Sequence, residues 1–323
     1  MGRLFSIGEV LIDFIPMQKG KALKDVQSFK RAPGGAPANV AAAVARFGAE
    51  SAMITKLGMD AFSDFLIEEL QKIGVKTDKI KRTKEANTGL AFVSLRDDGE
   101  RDFSFYRNPS ADLLLSEDEI EESWFAKGDI LHFCSVDLVE SPMKKAHEKA
   151  IRLVKENGGI ISFDPNVRFP LWNSAEDCRQ TILEFIPKAH IIKISDEELA
   201  FITGISNEKE AIENLFTGDV KAVIYTKGAN GADLYTKNAK YESTGFKVEV
   251  QDTTGAGDAF IGGFLYKLLE KEVNHDNLID VLNEHHQEIL TFANASGAIT
   301  TTGKGAISSL PTKEEILNFI SCK

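Results

Sequence analysis

Cysteine is scarce, with three residues (Cys134, Cys178 and Cys322) in a chain of 323. They are odd in number and scattered, without CxxC or Cys/His spacing. That excludes a disulfide scaffold and a cysteine metal site, and predicts free thiols in a reducing compartment. Long apolar runs are missing as well: none approaches the roughly 18 residues a membrane span needs. Positive charge is in deficit, with 38 Lys and Arg against 49 Asp and Glu and a formal net charge of −11. Such a surface repels phosphate backbones and anionic lipid, so neither nucleic acid nor membrane is expected as a partner. A small anionic substrate is not excluded, because local geometry outweighs net charge. No internal repeat or low-complexity tract is visible.

Hydrophobic residues make up 43% of the chain and charged residues 27%, enough apolar material for a full core and too much for a disordered chain. At roughly 100–200 residues per domain, the length corresponds to one large domain or two. The N-terminus runs straight into an apolar strand, Leu4-Phe5-Ser6-Ile7, so the expectation is a cytoplasmic protein without a signal peptide. Met1-Gly2-Arg3-Leu4-Phe5-Ser6 fits a short acylation pattern, but Gly2 reads more simply as the lead-in to a buried strand.

Short β-branched runs alternate with helical patterns. Strands are predicted at Leu4–Ile7, Ala52–Thr55, Ile130–Phe133, Gly159–Asp164, Ile191–Ile194 and Ala222–Thr226. Helices are predicted at Asn39–Arg46, Phe62–Ile73, Pro142–Glu156 and Ala175–Ile186, with Gly48, Gly74 and Gly158 at C-caps. This rhythm points to a largely parallel sheet covered on both faces. Two stretches break it. Phe14–Pro33 is polar and lacks a helical period. Gly89–Leu95 and Arg101–Arg107 alternate as strands around a hairpin signal at Asp98-Gly99. Both read as a small sheet standing off the core as a lid. The core is then 1–13, 39–88 and 113–323, and the lid 14–38 and 89–112.

The segment Asp252-Thr253-Thr254-Gly255-Ala256-Gly257-Asp258 opens an apolar helix that runs on through Phe264 and Leu268. Free N–H groups and the positive end of the dipole at such a helix start hold anions, and the small residues let a phosphate reach the backbone. Asp258 beside that site repels phosphate, so it suits a general base that takes a proton from an attacking hydroxyl. Read alone, the segment also fits an ordinary capped helix. Pro33-Gly34-Gly35-Ala36-Pro37-Ala38-Asn39 opens a second helix, where two glycines admit a ligand and the Asn39 amide can meet a sugar hydroxyl. It fits a plain N-cap as well.

Other glycine-loop readings fail. A dinucleotide fingerprint needs Gly where Phe260 stands. A Walker loop ending at Gly303-Lys304 needs Gly at Ala298 and Ser or Thr at Gly305. Glu284-His285-His286-Gln287-Glu288 is not HExxH and reads as a surface helix. His132 and Cys134 read as strand packing, and Ser116–Ile120 as a helix start with a capping box.

Gly34-Gly35 with Asn39, followed far downstream by Asp252–Asp258, resembles the two signatures of the PfkB (ribokinase-like) carbohydrate kinase family. Gly8–Pro16, Tyr106–Asp112 and Asp164–Trp172 look most like its fructokinases. The resemblance implies a ribokinase-like three-layer α/β sandwich with a mostly parallel sheet and a β lid. It also implies ATP- and Mg²⁺-dependent phosphorylation of a ketose, fructose first. Carried over residue by residue, Asp258 is the base and Gly255, Ala256 and Gly257 the anion hole. Asp13, Gly34, Gly35 and Asn39 hold the sugar, and Arg107 and Arg168 face sugar and phosphates; in isolation these arginines fit surface ion pairs. Lys193, Ser195, Glu198, Thr226, Gly228, Gly231 and Asn294 form the ATP side, with Glu198 ordering Mg²⁺ through water. Ser195 departs from the usual Asn, and Asn230-Gly231 alone is a hairpin turn. Asp252, Thr254, Thr300, Gly303, Gly305 and Ser309 match positions of a K⁺-type cation loop. Leu11 replaces an Asn of ribokinases, which counts against ribose. A 2-keto-3-deoxygluconate or riboside kinase stays open, as does a sugar sensor without catalysis. By analogy, a homodimer forms through the lid.

Overall fold

The computed structural model describes residues 2–18, 20–95 and 101–322. The early strands are β1 (Leu4–Ile7), β2 (Leu11–Pro16), β3 (Phe29–Gly34), β4 (Ser51–Gly58), β5 (Ile80–Thr83), β6 (Leu90–Leu95) and β7 (Arg101–Tyr106). After them come β8 (Ile130–Cys134), β9 (Ile160–Asp164), β10 (Ile191–Ser195), β11 (Ala222–Thr226), β12 (Ala232–Thr236) and β13 (Lys240–Ser243). The helices are α1 (Ala36–Arg46), α2 (Ala61–Ile73), α3 (Pro142–Glu156), α4 (Ala175–Phe185) and α5 (Asp196–Thr203). The last four are α6 (Glu208–Asn214), α7 (Ala256–Glu270), α8 (Leu278–Thr300) and α9 (Lys313–Ser321).

The large sheet runs β13-β12-β11-β10-β9-β8-β1-β4-β5. It is parallel from β11 to β5 and ends in antiparallel β12 and β13. Strand alternation divides the core. Leu4, Ile130, Ile160 and Ile191 face a layer that includes α1, α7 and α8, while Phe5, Leu131, Ile161 and Ile192 face α3 and α4. This is the three-layer sandwich the sequence predicts. Chain order reverses at β1, so a crevice opens at the carboxyl ends of β1 and β8, where open α/β sheets take their ligands.

The small sheet runs β3-β2-β6-β7, with β2 and β6 parallel and both outer pairs antiparallel. It begins at Leu11, so Leu11–Asp13 belongs to it as well. Period-2 alternation gives it two faces. Asp13, Ile15, Val93 and Phe105 line the crevice. On the other side Phe14 stacks on Phe92 at 4.7 Å and meets Phe62 of α2 edge-on. The turn signal at Asp98-Gly99 lies outside the described residues. Ser116–Ile120 does form the capping box, but on a single 3₁₀ turn rather than a longer helix. No helix among the described residues is long and apolar enough to cross a membrane.

Helix α1 owes its place to small side chains. Ala41, Ala42 and Ala43 are fully buried, and a Cβ on Gly262 of α7 would lie 2.6 Å from the Ala43 Cβ. Gly262→Val overfills that contact and is expected to cost about 1–3 kcal/mol. Thermal unfolding should show a midpoint lower by several degrees; an unchanged midpoint would mean that other contacts set the α1–α7 spacing.

Candidate active site

The crevice is a cleft of about 840 Å³ between the small sheet and the carboxyl ends of the large one. Its floor is the start of α7. Gly255 takes the left-handed conformation at φ +77° as N-cap, and a Cβ there would lie 2.5 Å from the Ala306 Cβ. Only glycine fits both demands. The Ala256 N–H turns back onto the Thr253 carbonyl at 3.2 Å, so it is not free for a ligand as the sequence implies. The N–H groups of Gly257 and Asp258 lie in the first turn, where no intrahelical partner exists.

Asp258 is buried at this floor. Its Oδ2 accepts from the Asn39 amide at 2.7 Å, and the Asn166 amide lies 3.5 Å from Oδ1. Burial raises its pKa, while Asn39, Lys193 and Arg168 oppose the rise. A carboxylate so balanced is a base moved toward working pH. Lys193 reaches in from β10. Its ammonium pairs with Asp164 Oδ2 at 2.8 Å, and a Cβ on Gly257 would lie 3.3 Å from Nζ. Positive charge therefore sits directly beneath the helix start. Burial pushes the Asp164 carboxyl up to about 6 against the pull of Lys193. Asp164, Glu198 and Asp258 together hold the Lys193 ammonium charged despite its burial.

The structure brings most of the predicted residues to this cleft. Asp13, Gly35, Asn39, Arg107, Arg168, Lys193, Ser195, Glu198, Asp252, Thr254, Gly255, Gly257 and Asp258 all line it. Several do so differently from expectation. The Asn39 amide is committed to Asp258. The Arg107 guanidinium is buried and paired with Asp112 and Asp137, so it is a wall of the site rather than a free cation. Arg168 is exposed and donates to its neighbour's carbonyl, Val167 O, at 2.9 Å. Glu198 closes a capping box on Ser195 and also accepts the Val167 N–H at 2.8 Å; against burial, the Lys193 ammonium first and then these hydrogen bonds keep its pKa low. Gly34 packs its Cα against the Asp13 carboxylate.

The remaining nucleotide-side residues lie outside this enclosed part. Thr226 ends β11, and Gly228 and Gly231 form the turn to β12 with positive φ. Asn294 of α8 donates to Ser243 Oγ at 3.0 Å. The two predicted cation-loop segments do meet: Asp252 accepts the Thr254 N–H with one oxygen and the Gly305 N–H with the other, at 3.0 and 2.9 Å. Gly303 packs on Ser309, whereas the Thr300 hydroxyl bonds back to Ser296 O within α8. No group of three or more His, Cys, Asp or Glu among the described residues is arranged to hold a metal ion.

Sequence reasoning passed over Glu9, Asp112, Asp137, Asp164 and Asn166 as site residues. Asp164 carried a signal, since it closes an apolar strand at the carboxyl end of a parallel sheet. The others follow short irregular links, where periodicity says nothing.

Comparison with known proteins agrees with this geometry. The pfkB family carbohydrate kinase pattern matches residues 1–313. The chain is 45% identical over 320 residues to a probable fructokinase-2 of Arabidopsis thaliana, covering 99% of this chain and 96% of that protein. A fructokinase from Xylella fastidiosa, solved with bound ATP, superposes with a TM-score of 0.91 at 36% identity, covering 99% of this chain and 98% of that one. A double-mutant fructokinase from Vibrio cholerae, solved with fructose, ADP and potassium ion, gives a TM-score of 0.87 at 35% identity over 99% and 98% of the two chains. With a match over nearly its whole length and a buried carboxylate at a glycine-bounded helix start beneath a β lid, the chain belongs to the pfkB family of carbohydrate kinases and resembles the fructokinases within it.

Proposed function

We infer that this protein is an ATP-dependent fructokinase that transfers the γ-phosphoryl group to the primary hydroxyl of fructose and yields fructose 6-phosphate. The observation that carries this reading is Asp258, buried beside the first turn of α7 at the bottom of a cleft large enough for sugar and phosphates.

Asp258 accepts the proton of the attacking hydroxyl, and Asn39 holds the carboxylate in place as it does so. The N–H groups at the α7 start and the Lys193 ammonium face the charge that develops on the transferring phosphoryl group. Asp13, Gly34 and Gly35 border the sugar, and Arg168 reaches it from the opposite wall. Thr226, Gly228, Gly231 and Asn294 line the nucleotide's path. The small sheet excludes water from the reacting groups. Mg²⁺ fits a site whose protein oxygens are few: it would ride on the nucleotide phosphates, with Glu198 nearby, and supply charge neutralisation there. A K⁺ ion suits the two loops that Asp252 joins through the Thr254 and Gly305 N–H groups, and would add positive field beside the anion hole.

Both edges of the small sheet, β3 and β7, have no strand partner among the described residues, and Tyr106 on β7 is 64% exposed. Edge strands of this kind invite pairing with a second lid, and a homodimer follows. Three free cysteines, two of them buried, suit a cytoplasmic setting.

The test is ADP release from ATP and Mg²⁺, with and without K⁺, over fructose, ribose, glucose, tagatose, 2-keto-3-deoxygluconate and an aminoimidazole riboside. Clear preference for fructose is expected. Preference for another acceptor would overturn the sugar assignment and leave the kinase reading. Sugar binding with no ADP formed would overturn the kinase reading in favour of a sensor.

A further inference from the structure

A group of buried ionisable residues joins three parts of the cleft. Arg107 follows lid strand β7, Asp137 follows β8, and Glu9 follows β1. The Arg107 guanidinium bonds Asp112 and Asp137 and lies 3.3 Å from Ser110 Oγ. Glu9 is 5% exposed and borders the cleft. One of its oxygens, Oε1, accepts the N–H of Ala36, the first residue of α1, at 3.1 Å. The turn before it is tight: Gly35 has φ +106°, and a Cβ there would lie 2.5 Å from the Glu9 carbonyl oxygen. Glu9 thus fixes the end of α1 from which Asn39 reaches Asp258.

The group contains three carboxyls and one guanidinium. Two buried oxygens have no donor: Glu9 Oε2 and Asp137 Oδ2. The two side chains stand within hydrogen-bonding reach of each other. Two carboxylates cannot bond without a proton between them, and orphaned buried acceptors are costly. A single proton on Glu9 Oε2 satisfies both.

We propose that Glu9 is a positioning residue for the sugar: as a carboxylic acid it donates to Asp137 while accepting from Ala36, and so locks the Gly35 turn to the Arg107 end of the lid. This rests on the kinase reading above. Burial and the nearby Asp137 and Asp112 carboxylates raise the Glu9 pKa well above the ordinary range, against the pull of Arg107. Arg107 keeps Asp137 ionised despite its burial. His147 of α3 faces Asp137 and is held neutral by burial. Cys134 at the end of β8 stays a thiol for the same reason. A carboxyl whose pKa is raised on folding contributes stability below its unfolded pKa, and that contribution is lost as pH rises through the folded value.

The test compares wild type, Glu9→Gln and Glu9→Leu from about pH 6 to 9.5, a span above the ordinary carboxyl range. Glutamine keeps one donor toward Asp137 and one acceptor for Ala36. Glu9→Gln should therefore match wild type at neutral pH. The fructose KM of wild type should rise at the alkaline end while that of Glu9→Gln stays flat. Glu9→Leu should raise the fructose KM by about tenfold or more while the ATP KM moves little. Thermal midpoints supply a readout that needs no turnover: wild type should lose stability relative to Glu9→Gln as pH rises. This comparison also decides the matter if Glu9→Leu does not fold or if no sugar is phosphorylated, in which case the kinase reading fails on its own. Loss of fructose affinity in Glu9→Gln at neutral pH, or parallel pH dependence of its midpoint and that of wild type, would overturn the proposal.

Discussion

Asp258→Asn should fold normally and lower kcat for fructose phosphorylation by about 10²–10⁴-fold, the range that a positioned general base contributes. The amide has the size of the carboxylate, and its oxygen still accepts from Asn39, whose Nδ2 now lies 2.7 Å from Asp258 Oδ2. What it lacks is a lone pair basic enough to take the hydroxyl proton. Fructose and ATP KM should change far less than kcat, because the interaction removed forms mainly in the transition state. Thermal stability should hold or rise, since a buried carboxylate held against desolvation is replaced by a neutral group. The same burial fixes the sign of the acid limb. In the proposed mechanism Asp258 works ionised, and burial raises its pKa. Activity of the wild type should therefore fall with decreasing pH already above the ordinary Asp value of about 3.9. Near-normal turnover in Asp258→Asn would end the proposed mechanism.

Lys193→Met should cost both stability and rate, and the two losses can be separated. Removing the ammonium leaves Asp164 buried at 1% side-chain exposure with its partner gone. Breaking such a pair costs about 3–5 kcal/mol. Asp164 already has a pKa raised to about 6, and without Lys193 it must rise further. A raised carboxyl destabilises the fold as pH rises through that value, so the deficit of Lys193→Met should shrink between pH 8 and pH 5.5, values that bracket about 6. Adding Asp164→Asn should recover part of the thermal midpoint, because the carboxyl that loses its direct partner is then neutral, while Glu198 and Asp258 still miss the nearby ammonium. It should not recover kcat, because the positive charge beneath the α7 start is still missing. Thermal midpoints and kcat of wild type, Lys193→Met, Asp164→Asn and the double variant test this. A Lys193→Met variant as stable as wild type at pH 8 would show that the pair is not a buried ionic contact in solution. Recovery of kcat in the double variant would remove Lys193 from the phosphoryl site.

The large sheet was legible because its strands are buried on both faces and read as apolar runs between helical patterns. Ala222–Thr226 and Pro142–Glu156 are found with their predicted ends. Strands β5, β12 and β13 were not: Lys240–Ser243 is short and mostly polar, and although its burial alternates, none of its side chains is fully buried. Of the two lid segments, 14–38 was visible only as a break in the rhythm, whereas β6 and β7 were legible from their alternation. Of the site, the α7 start was legible since anion binding by a helix end needs small residues in sequence. Glu9 and Asp137 were not, because their roles depend on a contact between segments far apart in the chain. Arg107 shows the limit from the other side: its place at the cleft was inferable, but its two carboxylate partners were not, and they decide whether its charge is available to a ligand.

Helix α1 is pressed between the sheet and α7, with an alanine surface too shallow to be covered by anything but another backbone at close range. That surface is synthesised near the start of the chain and its cover near the end. At roughly 5–20 residues per second, the α3–α6 side of the sheet leaves the ribosome well before α7 does. Throughout that interval the nascent chain holds an uncovered apolar face and also lacks Gly255–Asp258. The segments that carry Asp13 and Asn39 are thus made before Asp258, and α7 brings both the cover of α1 and the buried carboxylate of the cleft.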